Sequence, residues 1–176
     1  MGFAHTALAD NYTDIIDMYK KSPVVAPHFK NAYGYAVFPT VGKGGFIIGG
    51  AYGTGRVYRD GKVTGEARLI NASIGFQLGG QAFSEIIFFQ DKRAYDAFTS
   101  GSFEFDASAS AVAITAGAQA RAGTEGSTAS ASAGPATARQ AGGGYHNGMA
   151  VFVQVKGGLM YEAAIGGQKF SFEPLK

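Results

Sequence analysis

The stretch VGKGGFIIGGAYGTGRVYRDGK, Val41 to Lys62, sets eight glycines, four bases and one acid among twenty-two residues, and its reading decides the fold. Such a run is either a loop that cradles phosphate at the start of a helix or a piece of sheet. A loop of the form G-x-x-x-x-G-K-[ST] needs Lys directly after its second glycine and then Ser or Thr. Lys43 follows Gly42 but is itself followed by Gly44. A G-x-G-x-x-G fingerprint starting at Gly42 needs glycine where Ile47 stands, and one starting at Gly53 needs it at Tyr58. The residues that follow are β-prone, and Asp60-Gly61 between GRVYR and KVTG is a preferred two-residue hairpin turn, since both positions tolerate positive φ. The stretch reads as sheet.

Toward the start of the chain the pattern is helical. In ALADNYTDIIDMYKK, Leu8, Tyr12, Ile15 and Tyr19 fall on one helix face, flanked by Ile16 and Met18. Asp10, Asp14 and Asp17 come before Lys20 and Lys21, which suits the helix dipole, and Pro23 ends the element. VVAPHFKNA predicts a short second helix. From Tyr33 onward YGYAVFP, GRVYRDGKVTG, ARLINASIGFQLGG and AFSEIIFFQ are short runs divided by Gly, Pro or Asp-Gly, the punctuation of antiparallel strands. DKRAYDAFTSG predicts an interposed helix with Asp91 as its cap and Gly101 past its end.

Asp106 to Gln140 is biased to Ala, Ser, Thr and Gly, the composition of a flexible linker. Yet Ser108, Ser110, Val112 and Ile114 alternate with Ala, which predicts a hairpin whose first strand has one small-residue face and which is loosest near Gly123 to Pro135. YHNGMAVFVQVKGGLMYEAAIGG returns to strands around an Asn147-Gly148 turn. The expected fold class is α+β: one domain over 1–176, helical over 1–32, with a β-rich body over 33–176 that is mostly antiparallel, barrel- or sandwich-like, and carries one helix near 91–100.

Composition removes whole classes of function. The chain has 176 residues and no cysteine, which excludes disulfides, thiolate catalysis and thiolate metal sites. A net charge of +2 is too small to argue for nucleic acid. No apolar run approaches the ~20 residues of a spanning helix, and residues 1 to 20 lack the basic start and long apolar stretch of a secretory signal. The expected location is membrane-associated: periplasmic or secreted where a bacterial signal has been removed, as in a lipoprotein, and cytoplasmic otherwise. His5, His28 and His146 are far apart and stand beside polar or turn-like residues, where a surface role is the default. H-E-x-x-H and G-x-S-x-G do not occur, so no enzyme, cofactor or metal is expected.

The order of elements is distinctive. An amphipathic helix, YGYAVFP, the glycine-rich block ending GTGRVYRDGK, SIGFQLGGQ, DKRAYDAF, FEFDASASA and GMAVFVQVKGG together resemble the SYLF domain family over about Leu8 to Phe172. The resemblance implies binding of membrane lipids, phosphoinositides among them, and in some members binding of actin. It implies no enzyme activity.

The residues can also be read without the resemblance. Lys43, Arg56, Arg59, Lys62 and Arg68 oppose only Asp60 and Glu66 across the hairpin. Such a cluster docks phosphate head groups, each base adding about 1 kcal/mol at an anionic surface. Solvated charges that keep the hairpin soluble and block edge pairing are the plainer alternative. Lys20 and Lys21 extend the basic set. The stripe Leu8, Tyr12, Ile15, Tyr19 is a candidate membrane helix, although packing on the sheet is expected first because so short a helix needs tertiary support. The expected function is a non-enzymatic lipid-binding module on anionic head groups. The alternatives are an actin-binding or other protein-interaction module and an uncharacterised hydrolase.

Overall fold

The computed structural model describes residues 12–42, 51–71, 83–115, 145–155 and 161–175. Helix α1 is seen over 12–20, α2 over Ala26–Asn31 and α3 over Lys92–Phe98. Nine strands follow the chain as β1 Gly34–Gly42, β2 Ala51–Arg59, β3 Lys62–Asn71, β4 Phe83–Phe89, β5 Phe103–Glu104, β6 Ser110–Thr115, β7 Met149–Val155, β8 Tyr161–Ala164 and β9 Lys169–Pro174. They form one sheet in the order β5-β9-β3-β2-β1-β4-β7-β6-β8, antiparallel throughout except between β6 and β7, and curved so that its two ends meet.

Local chemistry sets the joints. Asp60 (φ 54°) and Gly61 (φ 76°) both take the left-handed region, as does the pair Asn147 (φ 53°) and Gly148 (φ 82°), so both two-residue turns form where the sequence predicts them. The Asp91 carboxylate accepts from Ala94 N at 3.0 Å and starts α3. On β1, Phe38 pairs with Glu85 and Val41 with Phe83, so three steps on β1 match two on β4. Pro39, which has no N–H to give the ladder, lies inside that bulge. The extra residue keeps Phe38 and Val41 on the same buried side although they are three apart.

The two ends of the sheet meet along a seam. Phe103 and Glu104 pair with Phe170 and Lys169, and Ser110 to Ala113 pair with Ala164 to Tyr161. Between these ladders Phe105 N donates to Gln168 O (3.1 Å), Gly167 N to Phe105 O (3.0 Å) and Ile165 N to Ala109 O (3.0 Å). Residues 103–113 therefore run against 161–170 along their whole length, and backbone groups that an open edge would expose are paired.

The sheet has a buried core on each face, and the outer one covers only part of it. Phe38, Val57, Leu69, Ile87, Val153 and Phe170 fill the interior, closed on one side by Phe98 of α3, whose ring centroid is 5.0 Å from those of both Phe89 and Phe170. On the outer face Tyr12, Ile16 and Tyr19 of α1, with Val25, cover Val37, Ile86, Phe88 and Phe152. Strand β4 is buried at every position because it lies between these two cores, so its apolar run does not alternate. The small-residue segment forms a strand with one small-residue face, as its alternation predicts: Ala111 and Ala113 join the interior while Val112 and Ile114 lie beneath the helices. Its described partners are β7 and β8, not a hairpin strand directly following it; the remainder of that reading, including Gly123 to Pro135, lies outside the described residues.

Candidate functional site

The β2–β3 hairpin answers the question its glycines raise. Gly53 and Gly55 face the interior, and a Cβ on Gly55 would stand 2.5 Å from the Phe38 ring and 2.5 Å from Val37 O. These glycines admit aromatic and aliphatic side chains of β1 against bare backbone. Their role is packing, and the bases sit elsewhere on the same strands.

Those bases do not form one cluster at the turn. Arg56 is half-buried, its guanidinium 4.3 Å from the Tyr12 ring centroid beneath α1. Arg59 is exposed and lies 5.1 Å from the Tyr33 ring, which packs against Tyr95 of α3. Its strand partner Lys62 is exposed beside the turn. Arg56 and Arg59 thus serve opposite sides of the sheet, because Arg56 is level with the outer core while Arg59 reaches toward α3. Arg68 is exposed six residues beyond Lys62, about 20 Å along the strand at 3.3 Å per residue. Lys20 is exposed with its ammonium 5.4 Å from the Phe29 ring, and Lys21 is exposed. Lys43 and Leu8 lie outside the described residues.

The helix stripe faces the protein. Tyr12 and Tyr19 are buried and Ile15 half-buried, while Ile16, which the stripe leaves at its margin, is buried more deeply than Ile15. Tyr19 Oη is 2.9 Å from Ser84 Oγ, and burial pushes its phenol far above the usual range. Burial also raises Tyr12 to about 12, against the pull of Arg56.

What the structure brings together on the outer face is an array from three strands. Cross-strand partners form the rows Tyr52, Ile70, Lys169; Thr54, Arg68, Ser171; and Arg56, Glu66, Glu173. Tyr52 is 38% exposed and Ile70 46%, unusual for large apolar side chains, and Arg68 and Lys169 are exposed beside them. The acids Glu66 and Glu173 occupy the row nearer the Asp60-Gly61 turn. The far end of the hairpin is therefore apolar and cationic, and the turn end is of mixed charge. Sequence reading missed Tyr52, Ile70 and Lys169. Their single signal was the outward parity of Tyr52 and Ile70 on glycine-rich strands, and Lys169 is a hundred residues away along the chain.

Two further positions differ from expectation. His28 is buried rather than on the surface, with ring centroids of Phe88, Tyr145 and Phe152 at 5.2, 5.4 and 5.1 Å. Burial holds its imidazole below the usual histidine range. Glu85, in the middle of the apolar run FSEIIFF, points into the interior and accepts from Gln168 Nε2 at 3.0 Å. His146 is exposed at the Asn147-Gly148 turn and His5 lies outside the described residues. Among the described residues no three His, Asp or Glu side chains gather in a metal-holding group, and no helix is long and apolar enough to cross a membrane.

No family model matches the chain. It is 28% identical over 160 residues to Beta cell expansion factor A of Aeromonas veronii, a match that covers 90% of this chain and 52% of that protein. The chain thus spans about half the length of this distant curated relative.

Proposed function

We propose that this chain is a non-enzymatic lipid-binding module that docks on anionic, phosphoinositide-like head groups through the outer face of its glycine-rich hairpin. The observation that carries the reading is the exposed pair Tyr52 and Ile70, cross-strand neighbours flanked by Arg68 and Lys169. An apolar pair enters the head-group layer while adjacent cations stay at phosphate level, each adding about 1 kcal/mol at an anionic surface. Resemblance to the SYLF family and similarity to Beta cell expansion factor A support it. Helix α1 acts as scaffold in this reading, since its apolar side is spent on the outer core.

The test is co-sedimentation with vesicles containing phosphatidylinositol phosphates, across a salt series. The expected result is binding that weakens with ionic strength and falls about thirtyfold in Arg68→Gln/Lys169→Gln, the loss of two cation contacts. Equal affinity for neutral vesicles, or unchanged affinity in that variant, sinks the reading. An exposed apolar pair ringed by charge also marks protein interfaces. Retention of the chain by filamentous actin, with no vesicle binding, would favour the protein-interaction alternative.

A further inference from the structure

A concave feature lies between α3, the bend linking β5 to β6, and the start of β7. The β6–β7 ladder begins only at Val112 and Phe152. Before it, residues 105–109 turn aside to join 165–168 in the seam. A groove of about 540 Å³ remains. This volume is within the range of small-molecule sites.

Its floor and its rim differ in character. Phe105, Ala109, Met149, Val151 and Ile165 line it and also belong to the interior core, so the groove opens onto apolar side chains. Alanines at 94, 97 and 109 leave the space unfilled. At the rim stand Asp91, Glu104 and Asp106 against Arg93, with His146 alongside. Asp106 accepts from Ser108 Oγ at 2.7 Å and from Ser108 N at 2.9 Å, which holds its carboxyl below the usual range and keeps it charged. Lys169 stands across the ladder from Glu104, so three carboxylates face two bases, Arg93 and Lys169, and the mouth keeps a small excess of negative charge.

We propose that the groove binds a single-chain amphiphile carrying an ammonium head, with the chain on the alanine-rich floor and the head against Glu104 and Asp106. Floor and rim act together: the apolar surface rewards burial of the chain, and the carboxylates select the sign of the head. Arg93 disfavours a second cation on its own side. Glu104 is the strand partner of Lys169, so the groove adjoins the edge of the hairpin face, while Asp106 and the groove floor are no part of the Tyr52 and Ile70 array.

Calorimetric titration of the full chain with monomeric dodecyltrimethylammonium tests it, beside dodecanoate and tetramethylammonium at equal concentration. Saturable binding is expected for the long-chain ammonium alone. Glu104→Gln/Asp106→Asn should weaken it about tenfold, the size that two exposed charge contacts supply. Glu104→Gln alone, at a position outside the Asp106–Ser108 turn, should weaken it about threefold even if the double variant loosens the bend. Ala97→Phe fills the groove from an exposed position on α3 and should abolish binding while leaving the melting transition in place. Equal binding of dodecanoate, equal binding of the chain-less tetramethylammonium, unchanged affinity in folded Ala97→Phe, or no saturable heat at all would each overturn the proposal.

Discussion

Gln168 Nε2 donates to Glu85 Oε1 at 3.0 Å inside the barrel, tying the residue that precedes β9 to the middle of β4. Both side chains are fully buried, and Glu85 Oε2 and Gln168 Oε1 have no hydrogen-bond partner among the described residues. An unpaired charge is costly there, so burial raises the Glu85 carboxyl to about 8 although the Gln168 bond pulls it down. The folded chain keeps this proton up to about pH 8, while the unfolded chain gives it up near 4.5. The folded state binds more protons across that window, so the contribution of Glu85 to stability is whole below 4.5 and is lost as pH rises through 8. Urea midpoints should fall from about pH 5 to about pH 9 in the parent chain, and Glu85→Gln should remove most of that slope. A parallel slope in the variant would assign it to other groups. His28 acts in the opposite sense, because its depressed imidazole penalises acid conditions.

Gly55 should tolerate no side chain. The Phe38 ring occupies the space a Cβ would need, and Val37 O closes it from the backbone side. Gly55→Ala is expected to cost about 1–3 kcal/mol, the usual penalty of overpacking. Phe38→Leu in the same chain should relieve only part of it, since the carbonyl does not move away. Gly61→Ala is the contrast: no atom of the described residues lies within 4 Å of the added Cβ, and the cost of about 1–2 kcal/mol is that of the positive φ. Denaturation midpoints of the three variants and the double variant measure each term.

Removing the aromatic side chains of α1 should unfold the protein rather than disable a membrane anchor. Tyr19→Ala empties a fully buried site and breaks the Ser84 contact, for a loss of about 3–5 kcal/mol. Ile15→Ala, at a half-buried position, should cost less than Ile16→Ala. Arg56→Gln should lower stability by about 0.5–1 kcal/mol through the lost contact with Tyr12. Thermal melts give the order, and an Ile15 variant weaker than the Ile16 variant would reverse this assignment of the helix face.

The chain has no tryptophan, so Ile70→Trp makes a single reporter on the proposed docking face. Its emission should move to shorter wavelength on adding anionic vesicles, as the indole leaves water. A tryptophan in place of Leu175, exposed beside Thr64 on the turn half of the hairpin, should not shift. A shift at 175 and none at 70 would move the contact to the turn, where Arg59 and Lys62 stand.

Much of the architecture was legible in the residues because its signals are local. Asp60-Gly61 and Asn147-Gly148 carry the dihedrals of their turns, Asp91 carries the cap of α3, and the apolar spacing of α1 marks its buried face. The candidate site was legible only in part. Composition drew attention to the hairpin and its bases, yet the bulge at Val57 and Tyr58, the stacking of Arg56 on Tyr12 and the turning of Arg59 toward Tyr33 spread those bases over two sides.

The sequence by itself determined which turns join neighbours and which helix face is apolar, since each depends on residues within a few positions of one another, whereas Pro39 and Gly65, read as dividers between runs, lie inside β1 and β3. Tertiary structure alone decided that Lys169 stands beside Ile70, that Gln168 reaches Glu85, and that β6 takes β7 and β8 as partners. Those pairings join residues tens to a hundred positions apart. Their closure is set by the curvature of the whole sheet and the filling of its interior, which no short window of sequence specifies.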